Sequence, residues 1–193
     1  MEINKLFDLK LVLGSGSPRR AELLELLGFK FEIRKKDTDE SFLSDWHYLE
    51  IPQKLSARKA SAIEVFDNEL LITADTIVHI NGDILNKPDN YEEAFEMLSK
   101  LSANTHEVVT GVSFKYQNEI YSFAEETKVS FKKLTHEEID YYVTYYKPFD
   151  KAGAYGIQEW IGMIGIEKIE GDYYNVMGLP VQRVWNELLK IKQ

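Results

Sequence analysis

The segment Gly14-Ser15-Gly16-Ser17-Pro18-Arg19-Arg20 combines residue types that could bind an anion. It follows a short apolar run, Leu11-Val12-Leu13, and precedes a leucine-rich amphipathic run from Ala21 to Leu27. Ser17 suits a helix N-cap and Pro18 the first helical position. Arg19 and Arg20 then fall in the first turn, where the positive end of the helix dipole disfavours a cation by roughly 0.3–1 kcal/mol. A phosphate docked there removes the conflict, because backbone N–H groups and guanidinium forks bind it together. A capped surface helix with solvated arginines is the other reading of these residues alone. The Gly-Lys-Ser/Thr ending of a P-loop is absent, and Arg19 stands where a dinucleotide fingerprint places its third glycine.

Asp75 is the second residue with chemical potential. It sits in Leu70-Leu71-Ile72-Thr73-Ala74-Asp75-Thr76-Ile77-Val78, among aliphatic and β-branched neighbours. A carboxylate in such a run must be desolvated, paired, metal-bound or at a strand end. It is either a strand-end cap or a general base or metal ligand at the lip of a sheet. Lys59 and Lys87 add cations, and Asp39-Glu40 adds hard oxygen donors suited to a divalent cation, although each also fits a solvated surface. In Asp150-Lys151-Ala152-Gly153-Ala154-Tyr155-Gly156-Ile157-Gln158, small residues let backbone approach a ligand, and Lys151 and Gln158 supply a cation and an amide able to read a base edge. The histidines His47, His79, His106 and His136 lack metal-site spacing.

The elements that must position these residues are legible as patterns. The spacing predicts a strand at Leu11–Leu13, a helix from Pro18, a helix C-terminus at Gly28 and a strand over 29–33. A helix over 52–66 and a strand over 70–80 follow, the latter turning at Asn81-Gly82. Tyr91 to Leu101 is helical, 107–116 and 119–134 are antiparallel strands, and Thr135-His136-Glu137-Glu138 is a capping box opening a tyrosine-rich helix. An apolar strand is expected over 163–169, and Pro180 opens the last helix. Alternating helices and strands followed by an antiparallel section predict an α/β domain on a mixed sheet.

The 193 residues suit a single domain or two merged lobes, and 44% hydrophobic content supports a sizeable core. Net charge is −9, which argues against nucleic acid and anionic membrane as partners. No window approaches the ~18 apolar residues of a membrane span. Glu2, Lys5, Asp8 and Lys10 leave no apolar signal-peptide core, so a cytoplasmic location is expected. Zero cysteines exclude disulfides and thiolate metal sites.

Taken in order, several segments resemble the Maf family of nucleoside triphosphate pyrophosphatases. They are Ser15-Gly16-Ser17-Pro18-Arg19-Arg20, Asp39-Glu40, Lys59-Ala60, Ala74-Asp75-Thr76, Lys87-Pro88, Thr110-Gly111, the stretch Asp150 to Gln158, and Asn175-Val176-Met177-Gly178-Leu179-Pro180. The resemblance spans nearly the whole chain and implies one Maf-like domain over 1–193. It implies an elongated mixed β-sheet flanked by helices, with two lobes around a cleft, as in inosine triphosphate pyrophosphatases. It also implies hydrolysis of a nucleoside triphosphate to the monophosphate and pyrophosphate.

The resemblance places the family's proton acceptor on Asp75. A triphosphate so bound needs its negative charge neutralised, which points to Ser15, Ser17, Arg20, Lys59 and Lys87 as the phosphate-binding set and to Glu40 with Asp75 as holders of a divalent cation, Mg²⁺ or Mn²⁺. A carboxylate that ligates the metal is a poorer base, so the two roles of Asp75 compete. Arg19, Thr76 and Gln158 match the branch that prefers dTTP and UTP, whereas the 7-methylguanosine triphosphate branch has Trp, Gln and Glu there. Two positions depart from the pattern: Asn86 and Glu159 stand where glycine is usual. A homodimer is implied, and a nucleotide-sensing regulator of septum formation with weak hydrolysis is the alternative function. A purine-cleaning pyrophosphatase of the related fold is a third.

Overall fold

The structure, a computed structural model, describes residues 10–117 and 119–191, so Glu2, Lys5 and Asp8 of the charged N-terminal stretch lie outside the described residues. In chain order the elements are β1 (Lys10–Leu13), α1 (Pro18–Leu26), β2 (Phe31–Ile33), α2 (Ile51–Ala62), β3 (Glu69–Ile80), β4 (Asp83–Leu85), α3 (Tyr91–Leu101), β5 (Thr105–Tyr116), β6 (Glu119–Phe131), α4 (His136–Tyr146), a 3-10 turn (Ala152–Ala154), α5 (Trp160–Gly165), β7 (Ile166–Glu170), α6 (Tyr173–Met177) and α7 (Val181–Leu188). Seven strands form one mixed sheet in the order β2-β1-β3-β5-β6-β7, with β4 paired to β3. The expected mixed α/β architecture is therefore present. Among the described residues, no helix is long and apolar enough to cross a membrane.

The chain divides into two units. The first runs up to Asp75 and adds residues 110–125 and those from Gly178 onward; the second comprises 76–109 and 126–177. In the first, β1 runs parallel to β2, Leu11 opposite Phe31, and parallel to the start of β3, Leu11 opposite Leu70. Residues 70–74 of β3 are buried without a break, as parallel strands covered on both faces are. Helix α1 ends at Gly28, whose φ of 86° lets Gly28 N–H donate to Glu25 O and Phe29 N–H to Leu24 O. Val12, Ala60, Ile63 and Leu71 pack together beneath α2.

Helix α2 docks closely at Gly111 of β5. A Cβ on Gly111 would stand 2.2 Å from backbone atoms of Pro52 and Gln53. Ser56 Oγ then lies 2.8 Å from Ser113 Oγ, and Thr73 Oγ1 donates to Ser56 O at 2.7 Å. These buried bonds fix the register of α2 against β3 and β5, and with it the place of Lys59.

In the second unit, Asn81 and Gly82, at φ 52° and 90°, turn β3 into β4 with Ile80 opposite Asp83. Asn90 caps α3 by accepting the Glu93 N–H at 2.9 Å, and Thr135 and Glu138 form the capping box of α4. The core gathers Val78, Leu98, Val129, Phe131, Tyr142 and Ile161, all at most 2% exposed. Helix α2, expected to reach residue 66, stops at Ala62, where Ile63 turns to extended backbone. A second element differs as well. Residues 160–165 are helical and the strand begins only at Ile166, because Glu159 O accepts the N–H groups of Gly162 and Met163 and turns the chain.

Candidate active site

Arg20 leaves the first turn of α1 and points back onto the protein. Its Nη1 donates to Ser15 Oγ at 3.1 Å and to Ala74 O at 2.8 Å, and its Nε donates to Gly178 O at 2.8 Å. Ser15 Oγ also accepts the Ser17 N–H at 3.2 Å. The Ser17 hydroxyl, expected to cap α1, makes no capping bond; the neighbouring hydroxyl of Ser15 supports the segment instead. Burial lowers the Arg20 pKa from its ordinary value, opposed by Asp75, reinforced by Arg19 and opposed again by Glu40. Arg20 thus ties the start of α1 to the residue immediately before Asp75.

Asp75 is in the interior of its strand, since β3 continues to Ile80, and so is not the strand-end cap that the sequence left open. Its Oδ1 lies 2.6 Å from Lys59 Nζ, and the same ammonium lies 2.7 Å from Glu40 Oε1. The Asp75 side chain is 13% exposed and that of Glu40 is 55% exposed. A desolvated carboxylate in an aliphatic strand is costly unless paired, and Lys59 supplies the pairing.

The loop that presents Glu40 is held from α2 as well. Arg58 Nη1 donates to Asp39 O at 2.6 Å and to Ser41 O at 2.8 Å, the carbonyls on either side of Glu40. Asp39 accepts from Ser41 N–H and Oγ, and these bonds, the backbone one first, hold its carboxyl below the usual range.

Two carboxylates converging on one cation are a hard-oxygen donor pair. Among the described residues no group of three or more His, Cys, Asp or Glu could hold a metal ion. Mg²⁺ characteristically takes one or two carboxylates and completes its shell with water and substrate phosphates, so Glu40 and Asp75 fit it.

The remaining expected residues belong to the second unit. Thr76 follows Asp75 on β3, so its side chain takes the opposite face. Lys87 is exposed in the loop after β4. That loop meets the 150–158 segment where Gly153 N–H donates to Asn86 O at 3.2 Å. Asn86 and Glu159, the two departures from glycine, both avoid positive φ, so their side chains cost no backbone strain. Lys151 differs from expectation: its ammonium is paired with Asp150 Oδ1 at 2.7 Å and Glu159 Oε1 at 3.1 Å, which engages the charge inside the protein. Gln158 is half-buried, and its Oε1 is buried with no hydrogen-bond partner among the described residues.

The first unit therefore brings together Ser15, Ser17, Arg19, Arg20, Glu40, Lys59 and Asp75. Arg58 and Tyr142 were not visible as site-supporting residues in the sequence. Arg58 carried one signal, its adjacency to Lys59. Tyr142 was hidden in the tyrosine-rich run of α4. Tyr141, Tyr145 and Tyr146 are exposed, but Tyr142 is fully buried.

Comparison with known proteins identifies what the chain as a whole is similar to. The family model described as Maf-like protein matches residues 10–191. A dTTP/UTP pyrophosphatase of Cytophaga hutchinsonii is 51% identical over 99% of this chain and 88% of its own length. A dTTP/UTP pyrophosphatase of Flavobacterium psychrophilum is 49% identical over 96% of each chain. Among solved structures, the Ham1 protein of Staphylococcus aureus aligns with a TM-score of 0.52 at 14% identity, covering 94% of this chain and 100% of that one. The last likeness concerns the fold.

Proposed function

Because the chain belongs to the Maf-like family, we propose that it hydrolyses dTTP and UTP to the nucleoside monophosphate and pyrophosphate, a house-cleaning activity on the nucleotide pool. Relatives of that name at about half identity over nearly the full chain support the reaction and the substrate class. The single structural observation that carries the reading is the Glu40–Lys59–Asp75 cluster beside Arg20. It supplies a desolvated carboxylate within reach of cations suited to a polyphosphate.

In this reading water attacks the α-phosphorus, the bond from that phosphorus to the bridging oxygen breaks, and pyrophosphate leaves with the electron pair. Asp75 orients the water and accepts its proton. Ser15, Ser17, Arg20, Lys59 and Lys87 grip the phosphate chain, since charge stabilisation and positioning dominate phosphoryl chemistry. Lys59 moves from its carboxylate partners towards phosphate as substrate arrives. A divalent cation, Mg²⁺ with Mn²⁺ as substitute, would be held by Glu40 and Asp75 and would neutralise phosphate charge.

Arg19, Thr76 and Gln158 are assigned to base choice. The Oε1 of Gln158, unpartnered among the described residues, supports this, because uracil and thymine bring the N3–H donor that this buried acceptor needs. The family resemblance supports a homodimer acting in the cytoplasm.

The experiment is to incubate pure protein with each nucleoside triphosphate and Mg²⁺ and to measure pyrophosphate. Release mainly from dTTP and UTP is expected. Release mainly from inosine or xanthosine triphosphate would point to a purine cleaner, and no release from any triphosphate to a nucleotide sensor.

A further inference from the structure

The turn that carries Gln158 is held on both flanks by one hydroxyl from another element. Tyr142 of α4 accepts the Gly156 N–H on its hydroxyl oxygen at 3.1 Å, and its O–H donates to Glu159 Oε2. Glu159 N–H donates to Gly156 O at 3.0 Å, which closes the turn over 156–159 around Gln158. The other carboxylate oxygen of Glu159 meets Lys151 Nζ at 3.1 Å, and that lysine side chain is 9% exposed. A Cβ on Gly156 would stand 2.8 Å from Glu159 Cδ, so turn and carboxylate pack without a gap. Burial first, then the Glu159 carboxylate, raises the Tyr142 pKa far above its ordinary value, and the hydroxyl stays a donor.

A glutamine side chain has nearly the same shape when its amide is turned over, but donor and acceptor exchange places. Turned one way, it accepts from N3–H of uracil or thymine and donates to O4. Turned the other way, it donates to N3 of cytosine and accepts from the amine on C4. A loosely held glutamine therefore reads both bases, and only a constrained one separates them. In this chain the constrained turn holds a buried acceptor without a partner among the described residues, and such an acceptor stays desolvated at a cost until a donor reaches it.

We propose that Tyr142 and Glu159 are positioning residues for base selection, their mutual bond holding the Gln158 turn so that the amide favours uracil and thymine over cytosine. The proposal rests on the reading of Gln158 as a base-contacting residue given above.

The test compares kcat/KM for UTP and CTP, with KM and kcat resolved, in the wild type, Tyr142→Phe, Glu159→Gly, Glu159→Gln and Gln158→Ala, alongside Tm. Losing one well-made bond in the support should cut the UTP-over-CTP ratio by about tenfold in Tyr142→Phe and Glu159→Gly, mainly through KM. Glu159→Gln keeps an acceptor for the Tyr142 hydroxyl and should retain most of the ratio. Gln158→Ala should collapse it. A lowered Tm with ratio and KM unchanged in both Tyr142→Phe and Glu159→Gly would show a purely structural role and overturn the proposal, leaving the Gln158 reading intact if Gln158→Ala still moves the ratio. An unchanged ratio in Gln158→Ala would remove the underlying reading, and the proposal with it.

Discussion

Lys59 and Asp75, from α2 and β3, meet at 2.6 Å between Nζ and Oδ1, both side chains being less than one-fifth exposed. The same ammonium reaches Glu40 at 2.7 Å, so one cation holds two carboxylates whose mutual repulsion would otherwise drive them apart. The cluster is assembled before substrate arrives, and the following outcomes are expected from it and from the scaffold around it.

Asp75→Asn keeps the shape of the side chain and removes its basicity. Turnover should fall roughly 10²-fold or more, as loss of a general base does, while nucleotide binding persists. Pyrophosphate release and equilibrium nucleotide binding, measured on the same preparation, check this. Near-normal release would remove Asp75 from the chemistry.

Chelation of divalent cations should abolish pyrophosphate release, and added Mg²⁺ should restore it. Glu40→Gln should raise the Mg²⁺ concentration needed for half-maximal rate with little change in Tm, because Glu40 is largely exposed. An unchanged Mg²⁺ titration would leave Glu40 as a counter-ion of Lys59 alone.

Arg20→Lys should not rescue Arg20→Ala. A single ammonium cannot span Ser15 Oγ, Ala74 O and Gly178 O, which the planar guanidinium reaches from two nitrogens. Loss of bonds from a charged donor costs about 1.5–3 kcal/mol each, and a chain of this size loses roughly 2–4 °C of Tm per kcal/mol. Thermal unfolding and KM for dTTP should therefore both worsen in the two variants. A lysine variant with wild-type Tm and KM would show that charge alone suffices.

Gly111→Ala should be among the most damaging single changes. The added methyl would meet the backbone of Pro52 and Gln53 at 2.2 Å, and a backbone cannot yield as a flexible side chain does. A loss of roughly 3 kcal/mol or more is expected, with activity reduced because α2 carries Lys59. Denaturant unfolding measures it directly.

Acidification should weaken the fold through His106. Fully buried, its Nε2 lies 2.7 Å from the Tyr155 hydroxyl, and burial pushes its pKa from the ordinary 6.5 down to about 3. Between those values the unfolded chain takes a proton that the folded chain refuses, so stability is full above pH 6.5 and falls as pH drops towards 3. Urea midpoints from pH 7.5 to 5 should decline, by at most about 1.4 kcal/mol per pH unit from this one group, and His106→Leu should flatten the slope. A wild-type midpoint constant over that range would contradict the assignment.

Much of the scaffold was legible because its signals are local. The aliphatic run around Asp75, the Asn81-Gly82 turn, the Thr135–Glu138 capping box and Gly28 each act within one or two turns of chain. Their structures follow the expected pattern. The stretch over 163–165 was misread because apolar composition does not distinguish a strand from a short buried helix. The deciding event was a backbone carbonyl, Glu159 O, accepting two N–H groups.

The sequence by itself determined the inventory: an acid in an apolar strand, arginines in the first turn of a helix, lysines and a glutamine in a family order, and no cysteine chemistry. Tertiary structure alone decided the partnerships. It gave Lys59 to Asp75 and Glu40, turned Arg20 onto carbonyls 54 and 158 residues away, engaged Lys151 internally, and placed one tyrosine of a tyrosine-rich helix behind Gln158. The physical reason is that pairing depends on distance and desolvation in three dimensions, and neither quantity is encoded in the spacing of residues along the chain.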